Sequence, residues 1–252
     1  MYIFKKLLRF LYVVYACLNF IIGLLVIFPF VIIAVFMGQP LGGNFVIHLC
    51  RAWSDFWLFM IGIRTKWIIE EPIDENRHYV FVSNHISYLD IPVIFKGIRK
   101  NNFRVLGKTE MSKIPVFGLV YRLAVVLVDR SSSAGRARSI EILRKVLNQN
   151  ISILLYPEGT FNETDQPLKS FFDGAFRMAI ETQTPIKAIV YPDTFHLMHY
   201  NSPFSLRPGL SRVVILPEVP VEGLTMDDMP TLKKIVYDQM EKCIIEQRSL
   251  TN

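Results

Sequence analysis

Two short stretches hold residue types that can do chemistry together: Asn84-His85-Ile86-Ser87-Tyr88-Leu89-Asp90 and Tyr156-Pro157-Glu158-Gly159-Thr160. The first carries an imidazole with a carboxylate five positions on. That pairing serves general-base catalysis, where the imidazole takes a proton and the carboxylate orients it and offsets its charge. The second sets a carboxylate beside a Pro…Gly turn, which suits a loop that holds a substrate. Each stretch follows a short apolar run, residues 79–83 and 151–155. Each therefore sits where a strand ends and a loop begins, the usual place for chemistry on an α/β scaffold. The His…Asp spacing alone is weak, because a surface His beside a helix-starting Asp gives the same pattern. Pro-Glu-Gly-Thr is rarer, and the two motifs at two strand ends together make a site.

The elements that must position these loops alternate along the chain. Strand-like runs cover residues 66–70, 79–83, 103–106, 124–128, 151–155, 186–191 and 212–216. Helical patterns cover 89–97, 116–122, 134–148, 174–182 and 231–246, with Ser133 and Asp173 placed as N-caps. This alternation predicts an α/β fold, a mainly parallel or mixed sheet flanked by helices.

The first 64 residues are different. No Asp, Glu, Lys or Arg occurs from Phe10 to Cys50, and residues 10–37 alone are long enough to cross a bilayer core. The apolar run is too long for a signal peptide and lacks a small-residue cleavage site. Pro29 predicts a kink, and residues 38–43, Gly-Gln-Pro-Leu-Gly-Gly, predict the end of one helix before a second over 44–63. Lys5, Lys6 and Arg9 flank the front, and Arg51, Arg64 and Lys66 flank the back. Positive charge at both flanks favours keeping both ends in the cytoplasm. The expectation is an N-terminal hydrophobic helical hairpin over 1–64, followed by a catalytic α/β domain over 65–252 that faces the cytoplasm. A two-span hairpin and a single-span anchor are the alternatives.

Apolar residues make up 51% of the chain, and the net charge is +6. The charge is uneven: between residues 96 and 145 there are 12 basic and 3 acidic residues, a local balance of +9. This basic third includes Lys108 and Arg130. It suits an anionic lipid surface, a phosphate-bearing acceptor, or an acidic acyl carrier or coenzyme. No nucleic-acid motif is visible, so nucleic acid is not expected as a partner. Cys17, Cys50 and Cys243 have no disulfide or zinc spacing. Asp193, His196 and His199 have a permissive spacing for metal ligands, and no metal is expected there. The absence of Gly-x-Ser-x-Gly disfavours a serine-nucleophile lipase.

The chain resembles the glycerolipid acyltransferases of the lysophosphatidic acid acyltransferase type, over roughly residues 60–220. Asn84, His85 and Asp90 match that family's first motif, and Tyr156 to Thr160 match its third. Lys108, Glu110, Pro115, Gly118 and Arg130 fit its second, and residues 185–190 fit its fourth loosely. Two positions depart. Phe161 stands where the family usually has Arg, and Asp173 where a Lys commonly precedes the Gly-Ala of the next helix. Those basic residues are the ones the resemblance places at the acceptor's phosphate.

The resemblance implies transfer of a fatty acyl group from acyl-CoA or acyl carrier protein to a lysolipid hydroxyl, with no cofactor besides the donor. His85 is then the base and Asp90 its orienting partner. Asn84, Lys108, Arg130, Glu158, Gly159 and Thr160 are the expected substrate-holding residues. The leading acceptor is 1-acylglycerol 3-phosphate, giving phosphatidic acid. Phe161 and Asp173 keep a different acceptor open, such as a lyso-aminolipid. A membrane lipid-binding protein without catalysis is the alternative from another class.

Overall fold

The computed structural model describes residues 2–128 and 133–250, with side chains for 4–107, 109–127 and 140–250. Two helices come first. α1 (Tyr2–Met37) is 36 residues long and runs on through Pro29, about 54 Å at 1.5 Å per residue. α2 (Leu41–Met60) follows after a tight turn in which Gly38 has a φ of +67°. α2 starts earlier than its sequence pattern suggests because Gly42 and Gly43 belong to it rather than to the turn. Gly42 lies against the α1 backbone, where a Cβ would come within 2.0 Å of the Ala34 carbonyl oxygen.

Beyond Arg9, α1 carries no charged residue on any face. One stripe, Val13, Ala16, Leu24, Ile27, Val31 and Ala34, is buried against α2. The remaining face exposes Leu18, Ile22, Leu25 and Val26, among others. Among the described residues α1 is the one helix long and apolar enough to cross a membrane. α2 is occupied differently. Trp57 Nε1 donates to the Ala16 carbonyl on one side, and Arg51 and Ser54 donate to the carbonyls of Ile98, Asn101 and Pro92 on the other. α2 therefore bridges α1 to the α/β part.

The sheet has seven strands: β1 (Ile63–Ile69), β2 (Val80–Ser83), β3 (Phe103–Lys108), β4 (Val125–Val128), β5 (Ser152–Leu155), β6 (Ile186–Val190) and β7 (Gly209–Val219). Their order across the sheet is β1-β7-β6-β2-β5-β3-β4. Every pairing is parallel except β6 with β7. The sheet is thus mixed, with a parallel centre. Strands β2, β5 and β6 are buried at every position, as expected for parallel strands covered on both faces.

Six further α-helices occur among the described residues: α3 (Asp90–Gly97), α4 (Phe117–Ala124), α5 (Ser133–Leu147), α6 (Gly174–Thr182), the short α7 (Thr194–Leu197) and α8 (Met229–Ser249). Alternate residues of β2 divide between two cores: Phe81 packs with the α1–α4 face, and Val80 and Val82 pack with the α5, α6 and α8 face. The first core runs without a break from Val13 of α1 to Val213 of β7. Asp173 stands at the cap position of α6 but makes no capping bond; its Oδ1 accepts from Lys233 Nζ at 2.6 Å. The side chain of Ser133, the other expected cap, lies outside those described.

Candidate active site

β2 and β5 are parallel neighbours, with Val82 level with Leu155. The loops that leave their C-terminal ends therefore emerge side by side, and these loops are the two motifs. β6 flanks β2 on the other side, with Ser83 level with Ile189, so the loop after β6 closes the third side. The sheet thus gathers residues that lie more than a hundred positions apart.

His85 Nδ1 lies 2.9 Å from Asp90 Oδ2. Asp90 is fully buried at the first turn of α3, where a carboxylate also meets the positive end of the helix dipole. Its Oδ2 accepts further bonds from the N–H groups of Ile86 (2.7 Å) and Ser87 (2.9 Å), and its Oδ1 accepts from Thr194 Oγ1 (2.6 Å). A carboxylate that accepts from all these donors is held in one orientation. With Nδ1–H donating to that carboxylate, the lone pair of a neutral His85 ring is at Nε2. The imidazole is 18% exposed and lies between two rings. Tyr156 stacks on it at 4.1 Å between centroids and Phe161 packs at 4.2 Å. Burial, with the Asp90 charge adding to it, pushes the Tyr156 phenol well above its ordinary pKa, so it stays protonated.

The third motif fastens the His85 backbone. Glu158 Oε1 accepts from His85 N–H at 2.9 Å, and Oε2 accepts from Lys169 N–H at 2.9 Å. The His85 carbonyl accepts from Asn162 N–H at 2.7 Å. Burial raises the Glu158 carboxyl above its usual range, an effect the two N–H donors partly offset. Asn84 works in the same way on the other side: its amide both donates to the Tyr191 carbonyl (2.9 Å) and accepts from Tyr191 N–H (2.8 Å). The sequence suggested substrate contacts for Asn84 and Glu158; in the structure the side chains of both bond main-chain groups.

Gly159 takes a φ of +74°, and the Phe172 ring fills the place of its missing side chain, 2.8 Å from where a Cβ would be. Thr160 is exposed at the rim, with Oγ1 accepting from Lys169 Nζ at 2.8 Å. Lys108 ends β3, the neighbour of β5, so its backbone lies on the same edge of the sheet as the motif loops; its side chain, and all of Arg130, lie outside the described residues. Asp193 of the suggested metal trio is held by Arg212, whose Nε bonds its Oδ2 at 2.8 Å. Among the described residues no group of three His, Cys, Asp or Glu is arranged to hold a metal ion.

Sequence reasoning missed Thr194, Phe161 as a partner of His85, Asn162 and Lys169. It also missed the path from this site to α1. Ser87 Oγ donates to the Met198 carbonyl (2.6 Å), and His199 N–H donates to Ser205 Oγ (2.6 Å). Arg9 Nη2 then donates to the Ser205 carbonyl (2.9 Å), and Phe10 stacks on Phe204 at 6.1 Å.

Comparison with known proteins decides the family. The family model described as Acyltransferase matches residues 64–192, the span from β1 to just past β6 that holds both motifs. The chain belongs to the acyltransferase family. This acyltransferase is 28% identical over 221 residues to an uncharacterized acyltransferase of Schizosaccharomyces pombe, covering 85% of the chain and 77% of that protein. It is 32% identical to the human 1-acyl-sn-glycerol-3-phosphate acyltransferase alpha, covering 72% of the chain but only 64% of the relative's length. Its fold matches the crystal structure of the 1-acyl-sn-glycerophosphate (LPA) acyltransferase of Thermotoga maritima with a TM-score of 0.73, at 20% identity over 98% of each chain. That agreement includes the N-terminal helices. The acyltransferase fold and the helical hairpin at its front are therefore as the sequence indicated.

Proposed function

We propose that this acyltransferase moves a fatty acyl group from a thioester to the free hydroxyl of 1-acyl-sn-glycerol 3-phosphate, giving phosphatidic acid. The observation that carries the chemistry is the partly exposed His85 ring, held at Nδ1 by a buried carboxylate. The relatives' names support the acceptor.

A lipid hydroxyl is a poor nucleophile at neutral pH. His85 Nε2 takes its proton as the oxygen attacks the thioester carbonyl, and Asp90 stabilises the imidazolium that forms. The tetrahedral intermediate collapses, the C–S bond breaks, and the thiolate takes the proton back from Nε2. No covalent enzyme intermediate is needed. The N–H groups of His85, Ile86 and Ser87 are held by Glu158 and Asp90, so the oxyanion draws its donors from elsewhere. Lys108 and Arg130 are proposed to meet the acceptor's phosphate. Gly159 and Thr160 shape the rim, and Asn84 and Glu158 act as positioning residues. The test is a product assay with purified protein, acyl-CoA and acyl carrier protein as donors, and a panel of lysolipids. Phosphatidic acid should form fastest. A faster reaction with a lyso-aminolipid or another phosphate-free acceptor would replace this acceptor with that one, and no thiol release with any pair would reject catalysis.

Residues 1–64 are proposed as the membrane-associated part, with residues 65–252 on the cytoplasmic side, where activated acyl donors occur. The exposed apolar face of α1 supports the bilayer, and the bonds from Arg9 and Phe10 to the loop of Ser205 hold the site close to it. A helical hairpin entering from one side leaves both flanks on that side. Cysteines placed at positions 2 and 100 should then react with an impermeant reagent from the same face of sealed vesicles. Labelling from opposite faces would favour a single span.

A further inference from the structure

Neither departure from the family pattern offers a positive charge to the cleft. Phe161 is packed on His85, and Asp173 is paired with Lys233. A cation arrives instead from a stretch with no motif. Lys169 lies in the loop between β5 and α6. Its backbone N–H donates to Glu158 Oε2 at 2.9 Å, while Oε1 of the same carboxylate accepts from His85 N–H at 2.9 Å. One buried carboxylate thus fixes the Lys169 and His85 main chains relative to each other. The side chain turns back over the third motif. Its Nζ donates to Thr160 Oγ1 at 2.8 Å, with the Phe161 carbonyl oxygen at 3.5 Å. Among the described residues no carboxylate forms an ion pair with this half-buried ammonium. An ammonium has three N–H donors, so one firm bond and one long one leave it capacity at the rim, beside the exposed Thr160.

We propose that Lys169 is a specificity-determining residue that binds the phosphate monoester of the acceptor next to His85. This rests on the substrate reading above and deepens it. The main-chain bond to Glu158 sets how far the cation sits from the base, and the Thr160 hydroxyl aims it. A compact ammonium suits a phosphate that presents three equivalent oxygens, because no fixed fork has to be matched. The ammonium is only half-buried, so the effect belongs near the lower end of a charge-assisted hydrogen bond, about 10-fold in affinity.

The test is steady-state kinetics of the full chain in lipid vesicles, comparing wild type, Lys169→Met and Lys169→Arg. Two acceptors of equal chain length are used, a lysophosphatidic acid and a monoacylglycerol. Lys169→Met keeps the stem and the backbone N–H that Glu158 needs, and the thermal midpoint reports that the loop is intact. The expected result is a KM for the phosphate acceptor raised about 10-fold, kcat within about twofold, and no change with the monoacylglycerol. Lys169→Arg should restore most of the loss. Wild type without preference for the phosphate acceptor would remove the substrate reading and this inference with it. A wild-type preference with unchanged KM in Lys169→Met would overturn this inference alone. Equal loss of kcat on both acceptors would also overturn it, because that is the mark of a residue that only supports the loop.

Discussion

Replacing His85 with Ala should reduce acyl transfer by about 10²- to 10⁴-fold or more while leaving the protein folded and membrane-bound. The ring is partly exposed and has its Nδ1 on Asp90, which leaves Nε2 for the substrate hydroxyl. Tyr156 is held protonated by burial, and the carboxylates of Asp90 and Glu158 are enclosed by N–H and O–H donors. None of these described neighbours can therefore take over as base. The fold should tolerate the change because what anchors this segment is backbone. His85 N–H bonds Glu158 and its carbonyl bonds Asn162, and both bonds survive in Ala. The losses are the packing of the ring against Tyr156 and Phe161 and one bond to Asp90. The check is thiol release and product formation by purified protein, with the thermal midpoint measured alongside. A rate near wild type would end the general-base mechanism.

The parts of this site that were legible in the sequence are those where function and local geometry coincide. His85 and Asp90 lie on one turn between a strand and a helix, so five residues of spacing already bring them together. The strand runs were legible for the same reason, since Val80 to Ser83 and Ser152 to Leu155 are short, apolar and buried on both faces. What was not legible depends on order across the sheet. Nothing near Thr194 says that β6 lies beside β2, so its hydroxyl could not be placed on Asp90. β7 runs to 11 residues, longer than its apolar core suggests, because it pairs with β1 over Gly209–Ile215 and with β6 over Val214–Val219. Asp173 looked like a cap because caps are read locally, but its ion pair comes from α8, 60 residues on. Phe161 looked only like a lost arginine, and its ring forms one wall of the base's pocket.

The Asp90→Asn variant separates charge from geometry. The four donors around Asp90 are not equivalent. Oδ2 receives the His85 ring and two backbone N–H groups, and those N–H groups cannot reverse, while Oδ1 receives the Thr194 hydroxyl, which can. An asparagine should therefore keep its oxygen at the Oδ2 place and turn its NH₂ toward Thr194, whose hydroxyl rotates to accept. Three bonds persist, His85 keeps its tautomer, and the stability cost should stay within about 1–2 kcal/mol, a few degrees in Tm. What disappears is the negative charge that stabilises the imidazolium as the hydroxyl proton arrives. The expected result is a fall in kcat of about 10²- to 10³-fold with little change in KM. Asp90→Ala provides the contrast. It leaves three buried donors without partners, each costing about 1–3 kcal/mol, and should unfold at clearly lower temperature. If Asp90→Asn retains near-normal kcat, the carboxylate serves only as a scaffold for the turn, and proton transfer at His85 does not need its charge.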